Sequence, residues 1–183
     1  PMVAGVIALS EPIMLFVARQ KFSSSGQILS ILIIATLGVS FGMIFGHLAL
    51  AINKQKQVLW VYISDAILSV IGYFIFIPKF GVYGAVYVTI FSEFYAGLML
   101  FAMSAYYSRF LPNFKNLLKI ILSGLVMGVT IYLLPAIHIL LTMTIGVIIY
   151  SVLVLVLRIV TRDTLKNIIF KETKTIAEIH ENW

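Results

Sequence analysis

Three carboxylates and one histidine lie inside long apolar stretches of this 183-residue sequence: Glu11 beside Pro12, His47, Asp65 and Glu93. A charged side chain at the centre of a bilayer costs about 2.5–3.5 kcal/mol on insertion scales, so each group needs a polar partner or water. Carboxylates in this setting can respond to a cation or line a polar cavity for a substrate. They can equally serve as interhelical hydrogen-bonding groups that fix packing.

The elements that carry these residues are six apolar runs. They cover residues 2–18, 27–52, 58–77, 82–107, 117–135 and 139–157. A helix of about 20 mostly apolar residues crosses the hydrocarbon layer, and only the first run is slightly short. With 61% hydrophobic and 11% charged residues, a soluble fold could not cover its apolar surface. The sequence predicts an all-α integral membrane protein with six transmembrane helices.

Basic residues are distributed unequally between alternate loops. One side of the predicted membrane has ten: Lys54, Lys56, Arg109, Lys115, Lys119, Arg158, Arg162, Lys166, Lys171 and Lys174. The other side has three: Arg19, Lys21 and Lys79. Lys and Arg concentrate in cytoplasmic loops, so this pattern predicts a multi-pass protein of the cytoplasmic membrane with its C-terminus in the cytoplasm.

This orientation places Asp65 and His47 towards the cytoplasmic ends of their helices. A solvated or loop-paired aspartate and a packed or interfacial histidine are therefore the simpler interpretations of these two residues. Glu11 and Glu93 stay open between a cavity-lining and a packing role. Thr89, one turn before Glu93, is a further candidate cavity-lining residue.

Small residues at a spacing of four mark faces where membrane helices pack closely. One such face in the second run carries Gly38, Gly42 and Gly46. Another in the fourth run carries Gly81, Ala85 and Gly97, with Thr89 and Glu93 on the same stripe. We expect the helices to form a tight bundle in which Glu93 faces a neighbour or a cavity.

No catalytic or metal-binding constellation is present in the sequence. It has no cysteine, and its three histidines (His47, His138 and His180) are not paired with carboxylates at metal-ligand spacing. There is no nucleophile elbow, phosphate loop or basic stripe interleaved with exposed aromatic residues. The sequence predicts neither an enzyme nor a nucleic-acid binder, and no bound cofactor or metal.

Two turns carry a family resemblance. The second run ends at Ala49, Ala51, Asn53 and Lys54, and the next hairpin turns at Pro78-Lys79-Phe80-Gly81 before Gly84-Ala85, Thr89 and Ser92-Glu93. With the order of spans and the charge sidedness, these motifs resemble the C-terminal half of polysaccharide-export flippases. That family belongs to the multidrug/oligosaccharidyl-lipid/polysaccharide exporter superfamily. The resemblance covers residues 1–107, whereas 117–158 match only as two further spans.

The resemblance implies a transporter of two six-helix lobes, often with two added helices. Residues 1–107 would be the last four helices of the second lobe, and 108–158 the added pair. The implied substrate is a polyprenyl-diphosphate-linked oligosaccharide for surface polysaccharide (O-antigen-type) biosynthesis, moved by alternating access with possible H⁺ or Na⁺ coupling. The implied partners are membrane lipids and an N-terminal half of the same protein, which would supply the cationic residues that a diphosphate requires. We expect such a half because the first run begins at Pro1 without a basic leader.

Two alternative functions fit the same spans. Another exporter of this superfamily, for drugs or a peptidoglycan precursor, would differ in its cavity. A membrane-embedded glycan polymerase or acyltransferase would need a large outer loop or an intramembrane His/Asp pair, and the sequence has neither. For residues 159–183 the pattern favours a cytoplasmic amphipathic helix on the inner leaflet, and a frayed tail is the alternative.

Overall fold

The computed structural model describes residues 1–18, 25–108, 115–134 and 138–157. Within these ranges the chain is helical and has no strand, which confirms the all-α part of the prediction. The helices are α1 (Met2–Ala18), α2 (Ser25–Leu32), α3 (Ala35–Ala51), α4 (Gln55–Phe80), α5 (Val82–Ser108), α6 (Lys115–Leu133) and α7 (Ile139–Val156). The predicted tail, residues 159–183, lies outside the described residues, as do residues 19–24, 109–114 and 135–137.

Four helices are long and apolar enough to cross a membrane. They are Ser25–Ala51, which joins α2 and α3, together with α4, α5 and α7, with 27, 26, 27 and 18 residues respectively. The apolar segments Met2–Ala18 and Leu117–Leu133 are shorter. Length and composition thus give the chain the character of a membrane protein, while the count of six spans stays a prediction.

Two tight turns join α3 to α4 and α4 to α5. At the first, Asn53 has a φ of 58°, and the Lys54 N–H donates to the Ala49 carbonyl at 2.9 Å. At the second, Gly81 has φ 57° and ψ −133°, and its N–H donates to the Ile77 carbonyl at 2.8 Å. An L side chain is strained at the Gly81 backbone angles, so glycine is required there by conformation. Each turn reverses the chain. The helices α3 and α5 therefore run parallel to each other, and α4 runs antiparallel to both.

The helices pack as two groups. Phe45, Ala49, Val58 and Leu100 form the core of the first group, where α3, α4 and α5 meet. The second core joins α1 to α6 around Leu9, Met127 and Ile131, with α7 packed against both helices. We call these groups the α3–α5 unit and the α1–α6–α7 unit.

Helix α2 contacts both α1 and α5, and so lies between the two units. The helices α6 and α7, which the family resemblance assigns to an added pair, pack against α1. The proposed division of the chain at residues 107 and 108 stays a prediction.

Candidate functional site

The glycines predicted on α3 face α5 and bring the two backbones together. A Cβ atom on Gly38 would lie 2.6 Å from the carbonyl oxygen of Glu93, and one on Gly97 would lie 2.7 Å from the carbonyl oxygen of Gly38. Side chains at either position would force the helices apart. At Gly42 and Gly46 a Cβ would meet its nearest neighbours at ordinary contact distances of 3.9 and 3.7 Å. The crossing therefore places the Glu93 backbone directly against α3.

The other small residues of the predicted α5 stripe have different surroundings. Gly81 lies in the turn before α5, where no atom comes within 4 Å of the Cβ position, so its backbone conformation and not helix contact accounts for glycine there. Ala85 is half-buried. The close contact between α4 and α5 is made instead by Gly84, whose Cβ would collide with the Phe76 carbonyl. Sequence spacing did not single out Gly84 because it lies one residue off the chosen stripe.

A strip of polar side chains runs along the interface between α4 and α5. We define this polar strip as Ser64, Asp65, Ser69 and Tyr73 on α4 with Thr89, Ser92 and Tyr95 on α5. The Ser92 hydroxyl lies 2.9 Å from each Asp65 carboxylate oxygen. One hydroxyl pair lies on each side of this contact along the helices. Ser64 and Tyr95 are 3.1 Å apart on one side, and Tyr73 and Thr89 are 3.0 Å apart on the other.

Ser69 lies in the middle of the polar strip and is 9% exposed. Its Oγ has no hydrogen-bond partner among the described residues. Buried hydroxyls are usually hydrogen-bonded, so Ser69 is an unusual unpaired polar group inside the interface, one turn after Asp65 on α4.

Asp65 is half-buried. It lies about 15 Å from the start of α4 at Gln55, at a rise of 1.5 Å per residue. Its partner is Ser92 on the neighbouring helix, not a loop residue as the simpler sequence interpretation holds. Glu93 is also half-buried, and Asp65 is its charged neighbour. No hydrogen bond to the Glu93 carboxylate is found within the described ranges. The structure thus brings Asp65 and Glu93, two of the predicted candidate residues, close to each other. A third candidate, Thr89, lies in the same polar strip as Asp65.

Glu11 and His47 lie apart from this strip. Glu11 is exposed on α1, and its Cα lies 3.1 Å from the Cβ position of Gly26 on α2. His47 is exposed, and its Nδ1 lies 2.6 Å from the Met43 carbonyl of its own helix. The predicted set of Glu11, Asp65 and Glu93 is therefore not assembled into one cluster in this structure.

Most hydroxyl members of the polar strip are not among the residues that the sequence predicts for a site. A signal for them exists, since Asp65, Ser69 and Tyr73 follow one another at a spacing of four along a single helix face. Their partners on α5 could not be assigned, because the pairing depends on the register between two helices.

Apolar side chains line a groove of about 530 Å³ between the two units. Leu37, Phe41, Leu98 and Leu125 are among its lining residues. A sugar or a phosphate needs hydrogen-bonding groups in place of its hydration, and this lining offers hardly any. Among the described residues there is also no group of three metal-ligating side chains. The polar strip, rather than the groove, is the candidate functional site.

Comparison with known proteins finds no matching family model, no matching curated protein and no matching solved structure.

Proposed function

We propose that this chain is part of a flippase that moves a polyprenyl-diphosphate-linked oligosaccharide from the inner to the outer leaflet of the cytoplasmic membrane. In this proposal the six apolar runs cross the bilayer and the C-terminus lies in the cytoplasm. An N-terminal lobe of the same protein completes the transporter. Alternating access between the lobes moves the saccharide for surface polysaccharide synthesis.

The polar strip is the observation that carries this proposal. Hydroxyls and carboxylates within membrane-length helices are costly, and such residues commonly mark substrate or ion pathways. A saccharide head group has to exchange its hydration for protein groups while it crosses the hydrocarbon layer. Hydroxyls such as those of Ser64 and Tyr95 can both donate to and accept from sugar hydroxyls.

The carboxylates Asp65 and Glu93 supply the proposed link to an ion gradient. Two neighbouring carboxylates repel one another, and a proton or Na⁺ relieves that repulsion. The lysines of the described helices are Lys56, Lys79, Lys115 and Lys119, all within a few residues of a helix end. Cationic groups that would hold the diphosphate within the membrane are therefore assigned to the N-terminal lobe.

The test is flipping of a polyprenyl-diphosphate-linked oligosaccharide by the full-length protein in proteoliposomes, read out with a membrane-impermeant glycosidase. We expect the wild-type protein to expose the saccharide faster when an H⁺ or Na⁺ gradient is applied. Asp65→Asn and Glu93→Gln should each remove this gradient response. Ser104→Ala is the matched control, since Ser104 is buried and bonded to the Phe45 carbonyl at 2.8 Å in the core, away from the polar strip.

The two parts of the proposal fail separately. A wild-type protein that exposes no saccharide contradicts the flippase function itself. If the wild type is active but both carboxylate variants keep the gradient response of Ser104→Ala, Asp65 and Glu93 are not the coupling site and Asp65 serves packing.

A further inference from the structure

The span formed by α2 and α3 changes its hydrogen bonding at Ile33 and Ile34. The Ile34 N–H donates to Ile31, the Thr36 N–H to Ile33 and the Leu37 N–H to Ile34, all at 3.1 Å. These are bonds across three residues, as in a 3₁₀ helix, within a span that is otherwise α-helical. A 3₁₀ stretch in the middle of a helix commonly marks a hinge, because its hydrogen-bond geometry is poorer.

A side-chain hydrogen bond lies at this break, and residues 27–37 contain neither proline nor glycine. The Thr36 hydroxyl donates to the Ile33 carbonyl at 2.6 Å and so competes for an acceptor of the main chain. Ser and Thr hydroxyls that bond back to their own helix often bend it. The Ile33 carbonyl thus accepts two hydrogen bonds from Thr36, one from its N–H and one from its hydroxyl.

Two glycine contacts hold the halves of this span to different units. Before the break, Gly26 brings α2 against α1, with its Cβ position 3.1 Å from the Cα of Glu11. After the break, Gly38 brings α3 against the Glu93 backbone of α5. Each half is thus tied to one unit by backbone-to-backbone packing, and the weakest part of the helix lies between the two contacts.

We propose that the break at Ile33 and Ile34 is a hinge about which the α1–α6–α7 unit, with α2 attached, moves relative to the α3–α5 unit. Groups of closely packed helices move as rigid bodies, and a few residues at the end of a helix absorb the change in backbone angles. The contact between α2 and α5 is the surface that slides during this motion. The hinge does not depend on the transported substrate or on the proposed function.

The test uses pairs of spin labels on cysteines introduced into the protein in lipid nanodiscs, since this sequence has no cysteine of its own. Phe74 on α4 and Tyr132 on α6 are 78% and 77% exposed and report on the distance between the units. Phe74 and Met43 on α3 report on a distance within the α3–α5 unit. We expect a broad or two-peaked distribution for the first pair and a single narrow peak for the second.

Thr36→Val should restore the regular ladder, because valine keeps the branched shape without the hydroxyl, and should narrow the distribution between Phe74 and Tyr132. Thr36→Ala is a second variant that lacks the same hydroxyl. Ser40→Ala is the control, since Ser40 bonds to the Thr36 carbonyl at 2.7 Å in the regular part of α3 and should leave the distribution unchanged. An inter-unit distribution as narrow as the control pair, or one that neither Thr36 variant narrows, overturns the hinge.

Discussion

The three glycines of α3 show how far residue type and spacing can be interpreted. All three lie on the face that the sequence predicts for packing, but only Gly38 has no room for a methyl group. A Cβ there would lie 2.6 Å from a backbone oxygen, whereas at Gly42 the nearest atoms are 3.9 Å away. Spacing along one helix predicts which face packs against a neighbour. The distance of closest approach at each glycine depends on the neighbouring helix.

We therefore expect Gly38→Ala to destabilise the protein and Gly42→Ala to leave it close to wild type. Overpacking of a tight contact costs typically about 1–3 kcal/mol, while alanine at Gly42 gains up to about 1 kcal/mol in helix propensity. Denaturant unfolding in detergent, followed by circular dichroism, measures both. Equal losses of stability in the two variants would contradict the assignment of Gly38 to the closest point of the crossing.

The sequence predicts Asp65 of the polar strip and its charged neighbour Glu93, but not the hydrogen-bond partner of Asp65. Asp65 and Glu93 stand out because charged residues are rare in apolar runs. Ser92 does not, since a serine in a membrane helix is common and its bond to Asp65 exists only in the register that the Gly81 turn imposes. Gly81 itself was assigned to a packing face because it shares the spacing of Gly97. Spacing does not reveal that α5 begins only at Val82.

At the scale of helices, the α4–α5 hairpin is the element that assembles the polar strip. The turn at Gly81 sets the register, and the hydroxyl pairs follow from it on both sides of Asp65. The break between α2 and α3 could not be predicted in the same way, because proline and glycine are absent from residues 27–37 and the apolar run continues through it. A hydroxyl that bonds back to its own helix gives no signal in hydropathy.

The pair of Tyr73 and Thr89 allows the strength of this hairpin contact to be measured. We expect the double variant Tyr73→Phe/Thr89→Val to lose less stability than the two single variants predict together. The coupling should be about 0.6 kcal/mol and at most about 1.7 kcal/mol, the range found for hydrogen bonds between membrane helices. A double-mutant cycle by denaturant unfolding gives the value.

The control cycle combines Tyr73→Phe with Ser104→Ala. Ser104 bonds to Phe45 in the core of the α3–α5 unit, so the two residues share no partner and their effects should add. If the Tyr73 and Thr89 cycle is also additive, the hydroxyl pair does not stabilise the hairpin in the membrane.

At the scale of the whole molecule, the two units meet the predicted cytoplasmic surface through basic residues. The Lys54 ammonium lies 4.2 Å from the centre of the Tyr107 ring, which ties the α3–α4 turn to the end of α5. The Lys119 ammonium lies 3.5 Å from the carbonyl of Leu157, near the end of α7. The distribution of basic residues predicts which loops lie on the same side of the membrane. The packing of α1 on α6 and α7 depends on side-chain fit between distant segments, which hydropathy does not encode.

The predicted orientation places the two ends of α4 on opposite sides of the membrane. Gln55 and Lys79 are both exposed and lie at those two ends, 24 residues apart, or about 36 Å at 1.5 Å per residue. This distance exceeds the hydrocarbon thickness of about 30 Å.

In intact cells, a membrane-impermeant thiol reagent should label the variant Lys79→Cys and leave Gln55→Cys unlabelled until the cells are permeabilised. Labelling of both or of neither in intact cells contradicts a membrane-spanning α4, and labelling of Gln55 alone reverses the orientation. A reversed orientation would put the ten basic residues outside, against the charge bias that orients membrane helices, and would remove the basis for a cytoplasmic C-terminus.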